Sequence, residues 1–159
     1  MQNLKILNSR EKKEIYNQLK EQYGFSEKLE GVLMLSSKNK VFYLSEGLDI
    51  LESNTDKLLR IDRTGLYIAV LEKGGIRFSV EGSQLIGPKC TKKVLVIDDA
   101  QLEAWVKGND FPLNNEDDVK EDGFHILKFK DDYVGCALIK EGTVRNYLTK
   151  TRWLKNINF

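Results

Sequence analysis

Three short apolar segments close to the C-terminus restrict the fold more than anything else in the chain. Between Gly123 and Leu148 the sequence reads GFHILKF, YVGCALI and TVRNYL, with polar breaks at Lys130-Asp131-Asp132 and Lys140-Glu141-Gly142. Each segment is too short for a helix, and each is rich in β-branched or aromatic residues. Short alternating strands joined by tight Gly- and Asp-containing turns predict an antiparallel meander, the unit from which small barrels are built. In the last strand, alternation places Val144, Asn146 and Leu148 on one face and Thr143, Arg145 and Tyr147 on the other.

Bulk charge makes no case for a nucleic-acid partner, because the 159-residue chain carries a net charge of +1. The distribution does. From Thr143 onward Arg145, Lys150, Arg152 and Lys155 occur without one acidic side chain, an asymmetry that points to an anionic partner. Arg145 beside Tyr147 offers a guanidinium and a ring for phosphate contact and base stacking. The Thr149 and Thr151 hydroxyls can also bond phosphate oxygens. The competing reading is ordinary surface charge, with Tyr147 and Trp153 covering the barrel end. Trp153 is expected in the core, where it would anchor the C-terminal extension.

Upstream, Asn8-Ser9-Arg10-Glu11 is a helix-start pattern, and Ile15, Leu19 and Tyr23 form an apolar stripe closed by Gly24, predicting a helix from about Ser9 to Tyr23. VLMLSS and VFYL predict a hairpin, and Ser45-Glu46-Gly47 a short helix. LLRID, LYIAVLE and IRFSV follow as three antiparallel strands with turns at Arg63-Thr64-Gly65 and Lys73-Gly74-Gly75. After a further helical turn over Glu81–Ile86, Gly87-Pro88 marks the expected boundary between residues 1–88 and 89–159. Beyond it, VLVI leads into a helix starting at Asp98-Asp99, buried through Leu102, Trp105 and Val106 and ended by Gly108.

No common catalytic site assembles from these residues. Gly74, Gly75, Gly82 and Gly87 lie in no phosphate-binding pattern. His125, the single histidine, shares a strand face with Leu127 and Phe129 and is read as structural. Ser79 and Ser83 have no histidine partner at a telling spacing. Cys90 and Cys136 are far apart with no metal-ligand spacing, so free thiols are expected. Asn114–Asp122, NNEDDVKED, lacks the order of a calcium loop and reads as a solvated acidic loop. No cofactor, metal or catalytic residue is expected. The absence of a signal peptide or a long apolar run predicts a cytoplasmic protein away from membranes.

The strand ending in Gly135-Cys136-Ala137-Leu138-Ile139, the Gly142 turn and the segment Arg145-Asn146 with Lys150 and Arg152 resemble RNA-binding PUA domains, especially those ending the Sun-family RNA methyltransferases. Gln101, Leu102, Trp105, Gly108 and Asn109 match the start of such domains. The order of elements before them is similar to the two-domain Nip family of large-ribosomal-subunit biogenesis factors and its archaeal relatives. The resemblance implies an α+β protein, an N-terminal α/β domain (1–88) followed by a PUA-like mixed β-barrel (89–159). It implies RNA binding, to structured rRNA or tRNA, in ribosome biogenesis or RNA modification, with an RNA-modifying enzyme or assembly factor as a further partner. The candidate RNA contacts are Arg145, Tyr147, Lys150, Arg152 and Lys155, with Lys107 and Asn109 completing the set. The alternative is a protein-interaction adaptor, or an accessory subunit of an RNA methyltransferase, that touches no RNA.

Overall fold

The computed structural model describes residues 3–45 and 65–154. Helix α1 spans Ser9–Tyr23, as its capping pattern predicts. The Asn8 side chain accepts the Glu11 N–H at 2.9 Å, and the Glu11 carboxylate accepts the Asn8 N–H. Gly24, at φ 67°, ends the helix in the left-handed conformation that glycine adopts most cheaply. Ile15, Leu19 and Tyr23 are buried against an antiparallel sheet of β1 (Leu4–Ile6), β2 (Val32–Ser36), β3 (Lys40–Leu44), β4 (Leu66–Glu72) and β5 (Gly75–Phe78), ordered as in the chain. Both expected hairpins, β2–β3 and β4–β5, are present. Strand β1 is an addition with no strong signal of its own: three residues defined by their pairing with β2. The helix expected after Ser45 and the strand expected at LLRID lie outside the described residues.

Helix α2 (Val80–Ile86) is longer than the single turn expected. Ser79 caps it by accepting the Gly82 N–H at 2.9 Å, while its own hydroxyl donates to the Tyr67 carbonyl at 2.7 Å. Gly82 lets the helix lie directly on β4, since a Cβ there would overlap the Ile68 carbonyl oxygen. Gly87-Pro88-Lys89 then forms a 3-10 turn. The Thr91 and Lys92 N–H groups both donate to the Tyr23 carbonyl at 3.0 Å, tying the following segment to the end of α1.

The C-terminal sheet contains β6 (Val94–Val96), β7 (Phe111–Pro112), β8 (Gly123–Phe129), β9 (Asp132–Lys140) and β10 (Thr143–Arg145), in the order β6-β8-β9-β10-β7. β6 runs parallel to β8, and the other pairs are antiparallel. The meander β8-β9-β10 lies where alternation predicts it.

The expected mixed β-barrel is present as a half-barrel and is not closed. The sheet is mixed and curved like half a barrel, with β6 and β7 left as unpaired edges among the described residues. β7 has only two residues, and Pro112 lacks an N–H for a ladder. Helix α3 (Asp99–Val106) bridges the open side through Trp105, which shares a core with Leu95 of β6, Ile97 just after it, Phe111 of β7 and Val144 of β10. A bulge at Leu127/Lys128 adds to the curvature.

The other main core is common to both sheets. Tyr23, Ile76, Phe78 and Ile86 pack with Phe124, Ile126 and Cys136. The Tyr23 hydroxyl is bonded to the Ile76 carbonyl and lies 3.8 Å from Cys136 Sγ. No helix among the described residues is long and apolar enough to cross a membrane.

Candidate nucleic-acid interface

The ladder of β10 stops at Arg145, yet the alternation of side chains continues because Asn146 takes over from the backbone. Its amide donates to the carbonyls of Trp105 (2.8 Å) and Asn109 (3.1 Å), and its Oδ1 accepts the Leu148 N–H at 2.8 Å. The Asp110 carboxylate accepts the Asn146 N–H at 2.8 Å. Asn146 therefore stitches the chain to the end of α3 and keeps Val144 and Leu148 inward. Arg145 and Tyr147 emerge, as predicted.

Tyr147 is 40% exposed and meets Phe124 edge-on, with ring centroids 5.9 Å apart. The Arg77 guanidinium lies 4.9 Å from the centre of the Tyr147 ring, within cation–π range. Arg77 reaches it from β5, and its Nη2 also donates to Glu72 at 3.2 Å. Arg77 Nε is buried without a hydrogen-bond partner among the described residues. Below the pair, Ser79, Glu81, Gly135, Thr149 and Arg152 line a cleft of about 180 Å³ between the two sheets. Arg152 forms an ion pair with Glu81 across it.

The remaining expected contacts are spread more widely. Lys150 lies 5.9 Å from the centre of the Trp153 ring. Lys107 is paired with Glu103 at 2.6 Å, one turn earlier on α3. The Asn109 N–H donates to Ala104, and its carbonyl receives Asn146, so its backbone is structural. Arg145 is exposed and enters no salt bridge among the described residues. Lys155 lies outside them. The structure thus joins Tyr147 and Arg152 in one cleft, sets Lys150 on Trp153, and gives Lys107 an intramolecular partner.

Trp153 corrects its expected core position. It is 39% exposed, but its indole N–H donates to the Leu148 carbonyl at 2.8 Å and its ring covers Gly108. Leu154 N–H donates to Val106 at 2.7 Å. The tail is anchored by a lid-like ring on a glycine, without burial of the whole indole.

Arg77 and Ser79 belong to this constellation and have no sequence signal that leads to it. In IRFSV, alternation shows only that Arg77 faces away from Ile76 and Phe78; its contact with Tyr147 is a product of sheet packing.

The groups that could resemble catalysts are held otherwise. His125 is buried, its Nδ1 is 2.9 Å from the Gly123 carbonyl, and burial is the main force lowering its pKa. Burial pushes the thiols of Cys90 and Cys136 up to about 12 and about 11, which leaves them protonated and poorly nucleophilic at neutral pH. Glu116–Asp118 forms an exposed 3-10 turn within the acidic loop.

Residues 92–154 match the family model for the Methyltransferase RsmF PUA domain. A PUA-like domain is therefore present in the C-terminal part, covering the curved sheet, α3 and the described tail. No curated protein matches the chain. The match is consistent with RNA binding.

Proposed function

We propose that the protein is a non-catalytic, cytoplasmic RNA-binding protein that engages structured rRNA or tRNA through its PUA-like portion. Its role is in ribosome biogenesis or RNA modification, beside an assembly factor or a modifying enzyme. The observation that carries this reading is the PUA family match over a segment ending in an exposed basic and aromatic tail. Arg145 and Lys150 supply phosphate contacts, and Tyr147 supplies a ring on which a base can lie. The order of elements before residue 92, with its helix and two hairpins, supports the resemblance to the Nip-type arrangement.

The test is fluorescence anisotropy with a labelled RNA hairpin. Arg145→Glu combined with Lys150→Glu touches no core side chain and should weaken binding at least about tenfold, since hydrogen bonds to charged groups contribute ~1.5–3 kcal/mol each. Charge reversal at Lys12 and Lys13 on α1 should do much less. Affinity should also fall with salt, by ~0.7 in log–log slope for each phosphate neutralised if the contacted strand is single. Binding that ignores both salt and the tail variant, or that is lost only in the α1 variant, would remove the PUA-like tail as the RNA platform.

A further inference from the structure

We propose that the cleft between the sheets receives the base of a single unpaired nucleotide of the RNA, held by Arg77 from the N-terminal region together with Tyr147 from the tail. The proposal rests on the RNA-binding reading above and adds both a ligand class and a residue from outside the PUA-like segment. The cleft's volume of about 180 Å³ is below the ~300–1,000 Å³ usual for sites that enclose drug-sized molecules. It has room for one planar ring. Its walls supply what a base needs: the Arg77 guanidinium lies 4.9 Å from the centre of the Tyr147 ring, and unstacked RNA bases lie on such aromatic and guanidinium planes.

Charge distinguishes a base from a bare phosphate. Inside the cleft Arg152 is matched by Glu81, and Arg77 by Glu72. The interior therefore offers little net positive charge to a free anion, and the Glu81 carboxylate opposes one. Arg145, in no salt bridge among the described residues, lies on the exposed side of β10, next to the tail that leads into the cleft. A nucleotide within a chain satisfies both conditions, with its backbone on the exposed cations and its base inside. The Thr149 hydroxyl in the lining can donate or accept at the edge of a base, whereas Ser79, whose proton goes to the Tyr67 carbonyl, can only accept there.

The experiment compares two RNA hairpins of the same stem, one fully paired and one carrying a single bulged 2-aminopurine, with the full-length protein. The wild type should prefer the bulged hairpin by about tenfold, within the range that base–aromatic stacking supplies, and the 2-aminopurine fluorescence should change on binding. Tyr147→Phe keeps the ring and should keep the preference. Tyr147→Ala and Arg77→Lys, the latter retaining the charge opposite Glu72, should bring it within about twofold, with circular dichroism confirming that each variant is folded. Equal wild-type affinity for the two hairpins, or a preference unchanged in folded Tyr147→Ala and Arg77→Lys, would overturn the nucleotide cleft while leaving tail-mediated RNA binding intact. Failure of the wild type to bind either hairpin would overturn both readings. Adenosine monophosphate binding as tightly as the bulged hairpin would overturn RNA as the source of the base and assign the cleft to a free nucleotide.

Discussion

His125 carries a consequence at the level of one side chain. It is the chain's single histidine, and burial lowers its pKa below the ordinary value of 6.5. Its folded-state pKa thus lies below its unfolded one, so between the two values the unfolded chain binds more protons and stability rises with pH. The stabilisation is complete above about pH 6.5 and is lost as the pH falls from there toward the folded-state pKa. Urea denaturation at pH 7.5 and pH 5.5 should show this loss, and His125→Gln should reduce it. An undiminished pH dependence in the variant would assign it to carboxylates. Arg152 and Glu81 provide a second case. Both side chains are partly exposed, so solvent screens the pair and Glu81→Gln should change stability by no more than ~1 kcal/mol. RNA affinity should rise in the same variant, because Arg152 is released from its carboxylate; unchanged or weaker binding would exclude Arg152 as a phosphate contact.

Among the elements, the tail and α3 depend on each other through Gly108. Its φ of 83° is left-handed, and a Cβ would overlap the Trp153 indole. Gly108→Ala should cost at least ~1 kcal/mol from backbone conformation alone, and Trp153 should become more exposed, read as a red shift in tryptophan fluorescence. An unshifted spectrum would mean the ring does not rest on this glycine. Elements with local signals were legible in the residues: Asn8 and Glu11 start α1, Gly24 ends it, and the polar turns delimit β8, β9 and β10. Two features were hidden because their determinants are distant. VLVI carries no indication that β6 pairs parallel to β8, and nothing near Pro112 shows that α3, rather than a further ladder, covers the open side of the sheet. The site divides in the same way. Arg145 and Tyr147 were readable from alternation, whereas Arg77 joins Tyr147 only when the two sheets pack, and Trp153 lies on the surface because a glycine beneath it allows it to anchor without burial.

For the molecule as a whole, the shared core around Tyr23, Phe78, Ile126 and Cys136 makes the two segments interdependent. Thermal unfolding should show one cooperative transition, and residues 89–159 expressed alone should expose Phe124, Ile126 and Cys136 and bind an apolar dye. Two separate transitions, or a fragment as stable as the full chain, would contradict that coupling. The proximity of Tyr23 to Cys136, 113 positions away along the chain, also governs the protein's history on the ribosome. Synthesis proceeds at ~5–20 residues per second, so the apolar side of α1 and β5 leaves the exit tunnel before Phe124, Ile126 and Cys136 have emerged to cover it. For several seconds each nascent chain presents an unfinished hydrophobic face, and its yield in cells should depend on holding chaperones and on the pace of translation through β8 and β9.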